Sequence, residues 1–99
     1  MNELDFIPDV VQAVADEDYT VYAYMSDGFV HLLDMKPLIA QGGVFEKLKD
    51  VDFFKTVTVM NNTVAWDLSG VRDPSDCIDI DPCTIAECPT VSDPLEEIA

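Results

Sequence analysis

Residues 19–25 alternate along Tyr19, Thr20, Val21, Tyr22, Ala23, Tyr24 and Met25, a two-residue period rich in aromatic and β-branched side chains that predicts a strand. Ser26, Asp27 and Gly28 supply turn chemistry, and the run Phe29, Val30, His31, Leu32, Leu33 returns as the second arm of a hairpin. An earlier strand is expected at 10–15, ahead of an acidic turn at Asp16, Glu17 and Asp18. Pro37 in a first turn and Gly42-Gly43 as a stop delimit a short helix over 37–41. Further helical turns are expected at 44–49 and 52–55. A second hairpin follows, with strands over 56–60 and 63–67 joined at Asn61-Asn62.

The last third is less regular. Asp73, Pro74, Ser75 and Asp76 form a turn, and 77–81 alternates so that Ile78 and Ile80 point inward. Asp81 suits an N-cap with Pro82 in the first helical position, which starts a short helix ending at Glu87. From Pro89 onward the chain is Pro-, Ser-, Asp- and Glu-rich, and a frayed tail is expected. Together these elements predict one small α+β domain over 1–88, with a mainly antiparallel sheet built from hairpins and short helices, followed by an acidic tail over 89–99.

Charge adds to this picture. Twenty Asp and Glu face five Lys and Arg, for a formal net charge of −15. Residues 1–35 hold eight acids and no base, residues 73–99 hold another eight and no base, and all five bases fall in 36–72. If the two ends lie side by side, one face carries most of the negative field. Such a field repels phosphate backbones and anionic lipid, so no direct nucleic-acid or membrane partner is expected. With 48% hydrophobic residues the chain has enough apolar side chains for a core. No apolar run reaches the roughly 18–20 residues of a membrane helix. The start Met1-Asn2-Glu3-Leu4-Asp5 is acidic where a signal peptide is basic, which points to the cytoplasm. Cys77, Cys83 and Cys88 are then free thiols.

Each candidate chemistry has a simpler structural explanation. His31 is the one histidine, and no activated nucleophile accompanies it, so it reads as a sheet-surface residue. The cysteine spacing lacks the paired ligands of a zinc site, and these thiols read as small, partly buried hydrophobes. Asp76, Asp79 and Asp81 lack the glycine and terminal glutamate of a calcium loop and read as a solvated face. Gly42-Gly43 ends a helix, where a phosphate site needs one to begin. Most of the aromatics, Trp66 included, read as core. Tyr22 and Tyr24 share one strand face, which becomes an interaction surface if it is open. No catalytic residue, cofactor or metal is expected.

One ordered succession stands out. Ser26-Asp27-Gly28-Phe29-Val30 is followed by Asp34-Met35-Lys36-Pro37-Leu38-Ile39 and then Gly42-Gly43-Val44-Phe45. Leu48, Asp52-Phe53-Phe54, Val57-Thr58-Val59, Thr63-Val64-Ala65-Trp66 and Ile78-Asp79-Ile80-Asp81-Pro82 complete it. This pattern, from residue 10 to residue 87, resembles the family known as domain of unknown function 2442. The resemblance implies a small α+β domain. Many family members are encoded beside a small basic protein and are counted as candidate antitoxins of bacterial toxin–antitoxin pairs. Some carry a helix-turn-helix domain after the shared region, a pattern from which this chain departs. The family brings no catalytic residues to transfer.

The expected function is therefore a non-catalytic, acidic protein-interaction module, antitoxin-like, that neutralises a basic partner. Asp16, Glu17, Asp18, Asp76, Asp79, Asp81, Glu96 and Glu97 are the expected contact residues. The alternatives are a phage-type nucleic-acid mimic that blocks a DNA- or RNA-binding enzyme such as a CRISPR effector, and a small cytoplasmic domain whose acidity serves solubility alone. A metal-dependent activity at Asp76, Asp79 and Asp81 is the weakest alternative. Homodimerisation is left open, with the strand at 19–25 as one route across a two-fold axis.

Overall fold

The computed structural model describes residues 8–16 and 18–92. Seven strands, three short α-helices and one 3-10 helix follow in the order β1 (Val10–Ala15), β2 (Thr20–Met25), β3 (Val30–Asp34), α1 (Lys36–Gln41), the 3-10 helix (Gly43–Lys49), α2 (Val51–Phe54), β4 (Thr58–Met60), β5 (Thr63–Asp67), β6 (Cys77–Asp79), α3 (Pro82–Glu87) and β7 (Thr90–Val91). The strands form two antiparallel sheets, one of order β1-β2-β3-β7 and one of order β4-β5-β6. The α+β architecture expected from the hairpins is what the chain forms.

Alternation in β2 sets the inner face of the larger sheet. Val21, Ala23 and Met25 are buried, whereas Tyr22 and Tyr24 are half-buried on the opposite face. Across the hairpin, Val21 pairs with Leu33 and Ala23 with His31, so these belong to the inner face too. The inner residues of the smaller sheet are Val64, Trp66, Ile78 and Ile80. They join those of the larger sheet, with Met35, Ile39, Leu48, Phe54 and Ile85, in one core. Trp66 is fully buried, and its Nε1–H donates to the Phe54 carbonyl at 2.8 Å, so the largest core side chain carries no unmet donor.

Aspartates cap the starts of the helices and tie the turns. Asp34 Oδ1 accepts the Lys36 N–H at the start of α1, Asp50 does the same for Asp52, and Asp81 caps α3 through Cys83. In the expected turn before β6, Asp73 Oδ1 accepts both the N–H and the hydroxyl of Ser75. A large share of the acid is thus used for backbone capping.

Two expectations need revising. The strand at 19–25 offered an edge for self-pairing, but β2 is interior, bonded to β1 on one side and β3 on the other. It has no free edge. In the segment assigned to the tail, Thr90 and Val91 pair with His31 and Val30, and the Pro89 carbonyl accepts the Leu32 N–H. Residues 93–99 lie outside the described residues.

Candidate functional site

The expected acidic contacts divide between two ends of β1. Asp16 and Asp18 are exposed in the turn after β1, where Lys36 Nζ donates to the Asp18 carbonyl and Tyr19 Oη to the Lys49 carbonyl. That end therefore adjoins the helical stretch 36–55, which carries four of the five basic residues. The other end of β1 is different. The Val10 N–H donates to the Asn62 carbonyl, and the neighbouring Asn61 side chain reaches the Pro74 carbonyl and Cys77 Sγ. The loop carrying Asp73 and Asp76 is thus drawn toward the start of β1, where Asp9 exchanges two hydrogen bonds with Ser26. β1 is six residues long, so roughly 20 Å separates its ends. The acids do not merge into one face.

Asp76 and Asp79 flank Cys77 in the chain, Asp79 within β6 and Asp76 directly before it. Burial raises the Cys77 thiol pKa, and the nearby charges of Asp79, Asp67, Asp76 and Asp73 raise it further. Asp81 is exposed, but its carboxylate is engaged as the cap of α3. Asp18, Asp76 and Asp79 meet no cation or donor through their side chains among the described residues. The single described ion pair is Lys36 with Asp34, at 3.2 Å on the surface. The expected contacts Glu17, Glu96 and Glu97 lie outside the described residues.

Within this cluster the loop after β5 is tightly tied. Asp67 Oδ1 accepts from the Ser69 N–H and hydroxyl, and Asp67 Oδ2 accepts the Arg72 N–H. Hydrogen bonds from Ser69 hold the Asp67 carboxyl pKa below its ordinary value, and those from Ser75 do the same for Asp73. Arg72 then reaches across, donating to Thr58 Oγ1 and the Val59 carbonyl of β4. The loop covers the outer face of the smaller sheet, which explains why Ala65 is fully buried outside the main core.

The larger sheet leaves its outer face uncovered by any described helix. Gln12, Tyr24, Val30 and Val91 are cross-strand partners, one row running over all four strands. Beside that row is a half-open hollow of about 320 Å³. Val11 and Gln12 line it together, although consecutive strand residues normally point to opposite faces. A bulge between Val10 and Gln12 makes this possible: Val10 stays in the core, and the extra residue, Val11, is 61% exposed. Gly28, at φ +90°, closes the β2–β3 turn, and Phe29 next to it stands 58% exposed at the hollow. Val30 is 5% exposed and lies beneath.

The sequence reading placed the tyrosine face as a conditional surface and missed Val11, Phe29 and Val91. A bulge leaves no mark in a run such as Val-Val-Gln-Ala-Val-Ala. Phe29 did carry a signal, an aromatic residue directly after a turn glycine, but was counted toward the strand. His31 belongs to the inner row and is half-buried. Its Nδ1 lies 2.9 Å from the Cys88 carbonyl, which can only accept, so Nδ1 carries the proton. Cys77 and Cys88 are half-buried, as expected, whereas Cys83 is exposed and departs from the partly buried role expected of it. Among the described residues no group of three or more His, Cys, Asp or Glu is arranged to hold a metal, and no helix is long and apolar enough to cross a membrane.

Two antiparallel sheets packed on one core, with aspartates capping α2 and α3 and tying the loop after β5, define a small α+β domain. The family model described as "Protein of unknown function (DUF2442)" matches residues 10–87, and the chain belongs to that family. No curated protein and no solved structure matches the chain.

Proposed function

We propose that this chain is a non-catalytic, acidic interaction module of the cytoplasm, antitoxin-like, that binds and neutralises a basic partner protein. The observation that carries the reading is charge without compensation. Twenty acids stand against five bases, and the described residues hold one surface ion pair. A fixed field of this kind accelerates encounter with a basic protein and loses strength as salt rises. The contact surface that best fits is the end of the molecule holding Asp73, Asp76 and Asp79, where the guanidinium of Arg72 is occupied by β4. Asp16 and Asp18, beside the lysine-bearing segment, contribute less to this surface.

The test is an affinity capture from host lysate with the full chain as bait, eluted at low and then high salt. The wild type is compared with a variant carrying Asp76→Asn and Asp79→Asn. A small basic protein that elutes at high salt, and is retained less by the variant, is the expected result. A lysate that yields no salt-dependent partner, or one retained equally by both baits, overturns the reading. A captured nucleic-acid enzyme that oligonucleotide displaces would favour the mimic instead.

A further inference from the structure

The hollow on the outer face of the larger sheet has a construction the acidic surface alone does not require. Its base is a row of cross-strand partners, its sides are Val11 and Phe29, and both of these apolar side chains are more than half exposed. Exposed apolar side chains gathered around a concavity mark contact sites more often than they mark cores. The volume, about 320 Å³, equals roughly ten waters, room for one or two bulky side chains. The charges beside it all have one sign. Asp27 adjoins Gly28 and Phe29 in the turn, and Asp9 is hydrogen-bonded to Ser26 next to it. The lysine-bearing stretch packs at the far end of β1, so no described base borders the hollow.

We infer that this hollow is the anchor point of the interface, and that it takes a bulky apolar side chain, Phe or Leu, from a partner segment in which lysines or arginines flank that residue. The inference rests on the proposed acidic-module reading and adds the chemistry of the bound segment. The apolar side chain enters between Val11 and Phe29 and displaces water from the row beneath. The flanking cations meet Asp9 and Asp27. Interfaces commonly place one buried anchor inside a charged rim, with the anchor setting dissociation and the rim setting encounter. Gln12, the polar member of the row, offers an amide to the bound segment's backbone.

The full chain, isotope-labelled, is titrated with three acetylated and amidated pentapeptides while the amide signals of Gly28, Phe29 and Val91 are followed by NMR. One peptide carries Phe between pairs of lysines, the second has Ser in place of that Phe, and the third has Phe between pairs of glycines. The lysine–Phe peptide is expected to shift those three signals saturably and to bind about tenfold more tightly than either control. Phe29→Ser, at an exposed position, should abolish the preference for Phe while leaving the fold intact. Asp9→Asn with Asp27→Asn should weaken the lysine–Phe peptide several-fold and leave the glycine–Phe peptide unchanged, since the amide that replaces the Asp27 carboxylate keeps an oxygen to accept the Phe29 N–H.

If the lysine–Ser peptide shifts the three signals as strongly, the anchor is refuted while the acidic-module reading stands. If the glycine–Phe peptide binds as tightly as the lysine–Phe one, the basic flank is refuted, and the acidic-module reading loses its support with it. Shifts confined to other parts of the surface, or none from any peptide, overturn the inference.

Discussion

The two sheets are alike inside and opposite outside. Each presents an inner row of buried aliphatic or aromatic side chains to the shared core. The outer face of the smaller sheet is covered by its own loop: Arg72 crosses β4, Asn61 meets Pro74, and Ala65 and Met60 are sealed from water. On the larger sheet Tyr22, Tyr24 and Leu32 remain half-buried, and Val11 and Phe29 stand open. Among the described residues, a connecting loop lies over the smaller sheet and no helix lies over the outer face of the larger one. The covered face contributes to folding, and the open face is available for contact.

The largest effect should come from the layer both sheets share. Trp66→Ala removes a fully buried side chain and its hydrogen bond to Phe54, and should cost about 3–5 kcal/mol, read as a lowered denaturant midpoint. A loss of less than about 1 kcal/mol would mean that the core is not the common support of the two faces.

The covered face comes next. Arg72→Met keeps the stem but removes two donors to β4, and should cost about 1–2 kcal/mol. Amide exchange at Ala65 should quicken in this variant while that at Ala23 does not. Equal quickening in both sheets would erase the distinction between them.

Acid should act on the same loop through its carboxylates. Asp67 and Asp73 have folded-state pKa values below their unfolded ones, so their stabilisation is present above the ordinary carboxyl range and is lost as pH falls through the lowered values. The melting temperature should fall below about pH 4. The loop over β4 and β5 should open before the larger sheet does, as read by exchange at Leu68 and Arg72. A flat melting temperature across that window would count against the aspartate anchoring.

Least of all should stability notice the open face. Val11→Ser with Phe29→Ser is expected to change the unfolding free energy by no more than about 0.5 kcal/mol, because both side chains are already largely in water. A clear destabilisation would show that these residues are structural and that the open face is part of the folding unit.

Much of this was legible in the residues. Alternation in Tyr19–Met25 separated Val21 and Ala23 from Tyr22 and Tyr24 onto two faces, Gly42-Gly43 ended a helix, and Asp81 with Pro82 started one. These are local signals in which period and capping chemistry act over a few residues. What stayed hidden depends on contacts distant in sequence. Nothing in Thr90 or Val91 announces a strand; β3 supplies the partner after a separation of some 60 residues. The same holds for the acids. Asp16 and Asp76 look equivalent in the chain, yet one lies beside a lysine-bearing segment and the other with Asp79 near a thiol whose ionisation those acids oppose. Sequence counts charge, and only the fold decides which charges share a space.

The bulge at Val11 has a wider consequence. A strand is a two-beat rhythm, and the extra residue is held outside it, so that Val10, Ala13 and Ala15 answer to the core while Gln12 and Val14 keep time with the outer row. Deleting Val11 would leave Val10 opposite Met25 and Gln12 opposite Tyr24 as neighbours in an unbroken period of two, so the hollow would lose one rim while every remaining side chain of β1 kept its face. The core and the open face are thereby uncoupled at a single position. A substitution confined to Val11 reshapes the rim of the hollow and leaves the register of both faces as it is.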